Sequence, residues 1–480
     1  MNTPIIDFVN EYRNSEMIRL HMPGHKGAAF LGREDKYGVL DAFSFDITEI
    51  EGADNLYHPE GIIAESEKNA TALWGSGKTV YSTEGSSQCI KTMLYLALLH
   101  NKRIYGEGFS NRVLAGRNAH GAFMHGAALL DLDVEWIWPD KKSDGMCSCP
   151  VTAESLKRML NGCTKLPMAV YITTPDYLGG NVDVESLAKV CHEAGTLLLV
   201  DNAHGAYFKF LPKEYKNYRH PLELGADMCC DSAHKTLPAL TGAAYLHFSK
   251  NVPVDLTENV KAGMALFGST SPSYLILESL DFCNKYIYED YREKLADFCK
   301  KSDELKRKIT KMGFSVCESD PLKITLAVKG DDGFTGDDLS DELRKNGAEV
   351  EFSDIDHVVL MITPENGDEI FSKLEVIFKK IGDSVIFSRK EQDNLCSRKK
   401  ENGSLHIPER VLSIREAFLA DGEYVDIESG RGRICASYSL SCPPAIPIIM
   451  PGEKVDEEVF LTLKRYNIKK IRCVSENKWS

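Results

Sequence analysis

The chain has 480 residues, of which 43% are hydrophobic and 27% charged, and its formal net charge at pH 7 is −14. This composition is typical of a globular protein with room for two or three domains. The acidic balance argues against nucleic acid or an anionic membrane as a partner, and the sequence contains no run of about 20 apolar residues that would span a membrane.

The N-terminal residues MNTPIIDFVNEYRNSEM lack the basic and then apolar pattern of a signal peptide. We therefore expect a cytoplasmic protein whose 14 cysteines are free thiols. Their spacing does not match a zinc site, so we predict no metal.

Between about Lys78 and Phe248, short β-rich runs alternate with helical patterns. The predicted strands are KTVYST, RVLAG, VEWIW, MAVYITT, TLLLVD, ADMCCDS and AAYLHF, and the predicted helices are Ser86–His100, His120–Leu130, Thr152–Leu160 and Val184–Ala194. Continuous apolar strands separated by helices are typical of an α/β fold with a mostly parallel sheet covered on both faces. Ligands of such sheets bind beyond the carboxyl ends of the strands.

A long helical region is predicted from Ser271 to Met312, and a smaller α+β pattern follows it. Its strands are KITLAV and HVVLMI, and its helices are Thr335–Lys345 and Asp368–Lys380. The polar segment Ser388–Ser404 has the composition of a linker, and the proline-rich block from Leu405 is expected to be ordered but irregular. We divide the chain into an N-terminal segment (1–70), a large α/β domain (71–310), a small α+β domain (311–385) and a C-terminal domain (405–480).

The stretch ALWGSGKTVY is superficially similar to a phosphate-binding P-loop. The motif requires a strand before its glycines and a helix after its lysine, whereas here a helical pattern comes first and a strand follows Lys78. The simpler interpretation is a helix that ends at Gly75 or Gly77 and leads into a strand.

Several residues with chemical potential fall where predicted strands end. They are the glycine and serines Gly85, Ser86 and Ser87, the carboxylate Asp201, the group Ser232, His234 and Lys235, and the imidazole His120. Free amides and hydroxyls at a helix N-terminus suit a phosphate, and a carboxylate at the end of a buried strand needs a partner. Helix capping explains the serines and His120 equally well when each is taken alone.

Taken together, these residues fit pyridoxal 5′-phosphate. This cofactor needs a lysine for its aldehyde, a carboxylate facing its pyridinium nitrogen, a phosphate site and a flat group over its ring. Lys235, Asp201, the serine-rich helix start and His120 supply these in turn. A lysine is tolerated between apolar runs because imine formation avoids burying a bare ammonium.

The chain also resembles the Orn/Lys/Arg decarboxylases of the pyridoxal-phosphate-dependent transferase-like fold (fold type I), in their short bacterial form. The resemblance covers nearly the full length. The motifs that carry it are HMPGHKG (His21–Gly27), DITE (Asp46–Glu49), DNLYHPEGII (Asp54–Ile63), DNAHGAYF (Asp201–Phe208), DSAHKTLPALTG (Asp231–Gly242), STSPSYLILESLD (Ser269–Asp281) and PPAIPIIMPGE (Pro443–Glu453).

The resemblance implies a large domain built on a mostly parallel sheet, a smaller α+β domain and a C-terminal decarboxylase-type domain. It also assigns roles to site residues. Lys235 would form the imine, Asp201 would hold the ring nitrogen, His204 would lie near the reactive face, His120 would stack on the ring, and Ser86, Ser87, Ser232 and His234 would bind the phosphate. The STSPSY stretch, with Ser269 and Thr270, would reach the phosphate of a neighbouring subunit, so a homodimer or a higher homo-oligomer would be the active form.

The predicted reaction is decarboxylation of a basic amino acid, arginine, lysine or ornithine, to the amine and CO₂. Lys235 or His234 would return a proton to Cα. Candidate partners for the substrate are Asp46, Glu49 and Asp54 for its basic side chain and Arg433 for its carboxylate. Capping or structural roles explain each of these four residues at least as well.

Some positions depart from the family pattern. Cys442 and Ala445 replace a tyrosine and a glycine beside the double proline, and Glu84 stands where relatives have a neutral residue. Gly121 and Ala122 replace a lysine and a serine. Two alternatives stay open: an aminotransferase or side-chain lyase on the same scaffold, and a catalytically silent paralogue. Polyamine biosynthesis and acid resistance are both compatible with the sequence.

Overall fold

The structure is a computed structural model that describes residues 1–27, 40–139, 148–328, 334–392, 406–437 and 447–475. The chain forms two compact units. Unit 1 comprises Met1–Asn111, Gly162–Thr174 and Val184–Arg292, and unit 2 comprises Arg112–Asn161, Pro175–Asp183 and Glu293–Ser480. The four-part division made from the sequence stays a prediction.

The described residues contain the following strands and α-helices. The strands are β1 (Lys78–Ser82), β2 (Arg112–Gly116), β3 (Asp133–Ile137), β4 (Ala169–Thr173), β5 (Leu197–Asp201), β6 (Met228–Asp231), β7 (Ala244–Phe248), β8 (Ser315–Val316), β9 (Lys323–Ala327), β10 (Phe352–Ser353), β11 (His357–Met361), β12 (Gly422–Asp426) and β13 (Lys470–Val474). The helices are α1 (Pro4–Asn14), α2 (Leu40–Phe45), α3 (Ile62–Trp74), α4 (Ser86–Tyr105), α5 (Gly121–Leu130), α6 (Ala153–Gly162), α7 (Val184–Ala194), α8 (Ala233–Thr236), α9 (Val254–Glu258), α10 (Val260–Phe267), α11 (Tyr274–Tyr286), α12 (Arg292–Lys311), α13 (Gly336–Lys345), α14 (Glu369–Gln392), α15 (Ile414–Leu419) and α16 (Glu457–Arg465).

The sheet of unit 1 contains the strands in the order β1, β7, β6, β5 and β4. Strands β4, β5 and β6 run parallel, and β7 is antiparallel to both of its neighbours. Every residue of β6 and β7 is buried, as expected for a sheet covered on both faces. Asp201 pairs with Cys230, so the carboxyl ends of β5 and β6 lie side by side.

Unit 2 contains the parallel pair β2 and β3, an antiparallel sheet and the C-terminal pair β12 and β13. The antiparallel sheet has the order β10, β11, β9 and β8. The C-terminal block has an apolar core of its own, built from Ile427, Cys435, Ile449, Val455, Val459, Phe460, Leu463, Ile471 and Cys473. The predicted α/β class with a mostly parallel sheet is confirmed. The pairs β2–β3, β4–β5 and β5–β6 are parallel, whereas only the two pairs that involve β7 are antiparallel among the pairs described for strands β1 to β7.

Most predicted elements agree with the structure, but two predictions are wrong. The block from Leu405, expected to be irregular, contains helices α15 and α16 and the antiparallel strand pair β12–β13. The second error is a boundary. Helix α14 extends to Gln392, so the first residues of the segment predicted as a linker from Ser388 are helical. Their sequence SRKEQ is rich in residues with high helix propensity, which explains the extension. The rest of that segment lies outside the described residues.

The P-loop-like stretch is a helix end followed by a strand, as predicted. Gly75 closes α3 in the left-handed conformation with a φ of 66°, and β1 begins at Lys78. The Nζ of Lys78 donates to the carbonyl of Thr257 at 3.0 Å. Among the residues that the structure describes, no helix is both long enough and apolar enough to cross a membrane.

Candidate active site

Asp201 ends β5 and is 2% exposed. The hydroxyl of Tyr171 on β4 donates to its Oδ2 at 3.0 Å, and the backbone N–H of Ala203 donates to its Oδ1 at 3.1 Å. The thiol of Cys230 lies 3.7 Å from the same Oδ1. The carboxylate is therefore fixed in orientation, with donors from this chain on both oxygens.

Lys235 lies on the one-turn helix α8, directly after β6, and is partly buried. Its Nζ is 3.0 Å from Nε2 of His204, which follows Asp201 by three residues. His204 is 5% exposed. The loops after two neighbouring parallel strands thus bring the predicted lysine and imidazole together, as their positions at the carboxyl ends of the strands predict.

The turn between β1 and α4 contains Gly85, Ser86 and Ser87. Gly85 has φ 70° and ψ −178°, a conformation open mainly to glycine, and an added Cβ would face the backbone nitrogen of Ser87 across 4.0 Å. The first amides of a helix have no carbonyl one turn before them. The hydroxyl of Ser232, just before α8, donates to that of Ser86 at 2.9 Å, so two of the four predicted phosphate ligands meet.

His234 has a defined tautomer. Its Nδ1 lies 3.0 Å from the carbonyl oxygen of Ala243, and a carbonyl only accepts, so Nδ1 carries the proton. Burial lowers the pKa of His234, and the neighbouring Lys235 charge lowers it as well, while the bond to Ala243 opposes the shift. The neutral ring therefore presents Nε2 as a hydrogen-bond acceptor.

A buried carboxylate, Asp231, joins the strand ends, and the sequence reasoning missed it. Its Oδ2 accepts from Nε2 of His220 at 3.0 Å and of His247 at 3.1 Å, and its Oδ1 accepts from the side chain of Asn202 at 2.6 Å. Burial alone would raise the pKa of Asp231, but the two histidines outweigh it and hold the pKa well below its usual value. Nδ1 of His220 accepts from the amide of Leu222, so the ring proton of neutral His220 is on Nε2, which faces Asp231. Hydrogen bonds alone therefore explain why His220 and Asp231 lie together.

The proposed roles of the other predicted site residues stay predictions. His120 belongs to unit 2, where its Nδ1 accepts from the backbone of Ala122 at 3.2 Å and caps α5. Ser269 and Thr270 are exposed in the loop between α10 and α11. Glu84 is exposed beside the serine-rich turn. The departures at Cys442 and Ala445 lie outside the described residues.

The residues proposed to face the substrate differ in how far other contacts already occupy their charged groups. The carboxylate of Asp54 accepts hydrogen bonds from the backbone of Asn55, Glu60, Gly61, Ile63 and Ala64. It is thus a structural cap of the loop before α3, and it is not open for a substrate. Asp46 lies 3.1 Å from Nε2 of His25, and Glu49 is exposed. Arg433 donates to Glu423 and to the carbonyl of Val474, so its role in unit 2 is structural.

Glu278 on α11 is a second titratable group that the sequence reasoning missed. Burial first, and then the nearby carboxylates of Asp46 and Asp281, raise the pKa of Glu278 to about 8. Its buried Oε1 has no hydrogen-bond partner within the described ranges. Only the fold reveals this, because the burial and the approach of Asp46, which is distant in the sequence, come from tertiary contacts.

The described residues fit pyridoxal 5′-phosphate. An amine and a fixed carboxylate lie at adjoining strand ends, and the space in front of α4 is kept clear by Gly85. The buried hydroxyl of Thr83, at the same turn, has no protein partner among the described residues. A helix N-terminus with serine hydroxyls and such a hydroxyl is the donor set that a phosphate requires.

Comparisons with known proteins agree with this chemistry. The family model of the Orn/Lys/Arg decarboxylase major domain matches residues 3–319, and that of the C-terminal domain matches residues 405–466. An arginine decarboxylase of Bacillus subtilis is 27% identical over 475 residues, which cover 95% of this chain and 92% of that protein.

The fold is similar to that of solved structures. The lysine decarboxylase LdcF of Francisella novicida superposes with a TM-score of 0.76 at 17% identity, over 98% of this chain and 81% of that one. A structure of SPT with PLP has a TM-score of 0.51 at 15% identity, over 67% of this chain and 76% of that one.

Proposed function

The chain belongs to the Orn/Lys/Arg decarboxylase family and is a pyridoxal-phosphate-dependent amino-acid decarboxylase, and from this premise we propose that its substrate is a basic amino acid. The products would be CO₂ and the corresponding amine. The name of the Bacillus subtilis relative makes arginine the first substrate to test, followed by lysine and ornithine.

One observation carries the proposal: the amine of Lys235 and the carboxylate of Asp201 follow neighbouring parallel strands in the same unit. Asp201 pairs with Cys230 at the end of β6, and Lys235 contacts His204 from the loop after β5. A lysine and a carboxylate held at one sheet edge are the pair that this cofactor requires.

Pyridoxal 5′-phosphate, when bound, supplies an aldehyde for amines and a ring that accepts the electron pair left by bond cleavage at Cα. Asp201 would pair with the protonated ring nitrogen, because its donors already hold the carboxylate in place. Ser86, Ser87 and Ser232, with the amides after Gly85, would bind the phosphate.

The proton that returns to Cα comes from Lys235 in this proposal. Neutral His234 has its only ring proton committed to the carbonyl of Ala243, which leaves it an acceptor. His204, 3.0 Å from Nζ of Lys235, is placed to accept from or donate to that amine.

A second copy of the chain is part of the proposal. Ser269 and Thr270 are exposed on their own chain, which leaves their hydroxyls accessible to the phosphate site of a partner. We expect a homodimer as the smallest active form. A cytoplasmic location stays a prediction.

Asp46 and Glu49 are the candidate partners for the basic side chain of the substrate, since the carboxylate of Asp54 is already committed to backbone amides. A guanidinium or ammonium group would pair with either carboxylate. Substitution to the amide at each position should raise KM more than it lowers kcat.

The test is incubation of the cofactor-loaded protein with arginine, lysine and ornithine, followed by quantification of CO₂ and of the amine. We expect turnover with one of the three, and none with Lys235→Ala. Reduction with borohydride should attach a pyridoxyl group to Lys235, identified by peptide mass spectrometry.

Asp201→Asn and Asp227→Asn form a matched pair, because Asp227 is a buried aspartate that bonds His192 and the backbone of Leu198. We expect loss of activity only in the first. A keto acid in place of CO₂ would indicate an aminotransferase, and a reducible adduct that never turns over any amino acid would indicate a silent paralogue. Native CO₂ release by Lys235→Ala would overturn the proposal.

A further inference from the structure

The carboxylate of Asp201 depends on a tyrosine from the adjoining strand. Tyr171 and Thr173 lie on one face of β4, since side chains alternate along a strand, and Thr173 is paired directly with Asp201. The phenol of Tyr171 extends along this face and donates to Oδ2 of Asp201 at 3.0 Å. Tyr171 lies two residues before the end of β4, and its side chain is long enough to bring a hydroxyl to Asp201. A phenylalanine at this position would lack the hydrogen-bond donor.

The chemical state of this phenol is defined. Tyr171 is fully buried, and burial raises its pKa well above the usual value of a tyrosine, with the charge of Asp201 acting in the same direction. The hydroxyl therefore keeps its proton and donates a hydrogen bond to the carboxylate. This hydrogen bond fixes the position of Oδ2 of Asp201.

We propose that Tyr171 is a positioning residue that fixes the carboxylate of Asp201 in the orientation that faces the pyridine nitrogen, and thereby strengthens binding of the protonated cofactor ring. The inference rests on the proposed function, since it needs Asp201 to meet that nitrogen. Tyr171 acts through Asp201 and need not touch the substrate.

The alternative is that Tyr171 merely fills the core. The two ideas differ in one respect: a packing role affects any ligand of the site, whereas a role through Asp201 affects only a ligand that has the ring nitrogen. 1-Deazapyridoxal 5′-phosphate has a C–H at that position and keeps the aldehyde and the phosphate. It therefore separates the two roles.

The experiment measures the dissociation constants of pyridoxal 5′-phosphate and its 1-deaza analogue for the apo forms of the wild-type chain and of Tyr171→Phe. A hydrogen bond to a charged group has a free energy of about 1.5–3 kcal/mol, so we expect affinity for the natural cofactor to fall on the order of tenfold or more. Affinity for the analogue should change less than about twofold. The ¹⁵N chemical shift of a labelled ring nitrogen should also move toward the unprotonated value.

Two further variants complete the test. Tyr245→Phe removes the hydroxyl of another fully buried tyrosine of the same sheet, which bonds Asn284, and should leave the preference for the natural cofactor intact. Tyr171→His retains a side-chain N–H and should recover part of the preference. Tyr171→Met, which also lacks the donor, replaces Tyr171→Phe if the latter does not fold.

The inference would be overturned if Tyr171→Phe lost the same affinity for pyridoxal 5′-phosphate and for its 1-deaza analogue. It would also be overturned if the folded variant preferred the natural cofactor as strongly as the wild-type chain does. Failure of the proposed function would look different, because the wild-type chain would then show no preference for the ring nitrogen or no reducible adduct at Lys235.

Discussion

Nζ of Lys235 lies 3.0 Å from Nε2 of His204, and the two residues come from loops that follow neighbouring parallel strands. The contact places an imidazole against the amine that the proposed chemistry needs. It also links two of the family motifs, DNAHGAYF around Asp201 and DSAHKTLPALTG around Lys235, at one edge of the sheet.

His204→Asn should lower kcat by about 10²–10⁴-fold, because it removes a group placed to exchange protons with Lys235. The amount of borohydride-trapped adduct at Lys235 should change little. His192→Asn is the control, since His192 bonds Asp227 on a partly exposed helix face. If His204→Asn retained the wild-type kcat, His204 would have no part in the reaction.

Ser232→Ala should weaken the binding of pyridoxal 5′-phosphate by about 10- to 100-fold, because a hydrogen bond to a charged group contributes about 1.5–3 kcal/mol. Pyridoxal, which lacks the phosphate, should bind both forms equally, as measured by absorbance titration. Ser340→Ala removes a buried serine of unit 2 and should leave both affinities unchanged. If Ser232→Ala weakened the binding of pyridoxal as much as that of pyridoxal 5′-phosphate, the role of Ser232 would be packing and not phosphate binding.

Glu278→Gln should stabilise the protein at high pH. The pKa of Glu278 is raised to about 8 in the fold, whereas an unfolded glutamate titrates near about 4.3. Between these values the folded chain holds a proton that the unfolded chain has lost, so stability falls as pH rises through this window. Glutamine does not titrate and removes this slope.

Urea unfolding at pH 5 and pH 9 measures the effect. The midpoint for Glu278→Gln should exceed that of the wild-type chain at pH 9 and nearly equal it at pH 5. Exposed Glu49→Gln should show no such difference between the two pH values. The same gain at both pH values would show that the effect of Glu278 is not one of charge.

Glu453→Gln should destabilise the fold by about 3–5 kcal/mol, because it breaks a buried ion pair and leaves one charge uncompensated. The carboxylate accepts from both terminal nitrogens of Arg117, at 2.6 and 2.7 Å, and the two side chains are 1% and 3% exposed. The double variant Arg117→Met/Glu453→Met should lose less than the single one.

Urea unfolding is again the measurement, and Glu423→Gln is the control. Glu423 accepts from Arg433 but is largely exposed, so its removal should cost about 0–1 kcal/mol. A double variant as unstable as Glu453→Gln would show that packing, and not the lone charge, sets the loss.

The central sheet was largely predictable from the sequence. Strand β2 was expected over RVLAG and helix α7 over Val184–Ala194, and the structure has both with these bounds. Runs of buried apolar residues set these elements, and the topology then places Asp201 and Lys235 at one sheet edge. Roles of single residues, such as Ser232 at the phosphate, stay predictions.

Other features depend on contacts between distant parts of the chain. Arg117 and Glu453 are 336 positions apart, and nothing local in either motif indicates the pair. Tyr171 looked like an apolar residue of a strand, because its hydroxyl acquires a partner only through the register of β4 and β5. Asp54 illustrates the opposite case, in which a conspicuous carboxylate serves its own loop.

The Asp231 carboxylate has a practical consequence for protein engineering. It connects β5 through Asn202 and β7 through His247, and it immediately precedes the segment that carries Lys235. A mutant library that varied this network would disturb the segments that carry Asp201 and Lys235 at once. Attempts to change the substrate should randomise the stretch around Asp46 and Glu49, which we propose to face the substrate, and leave the strand ends fixed, so that selectivity can evolve while the residues around Asp201 and Lys235 stay unchanged.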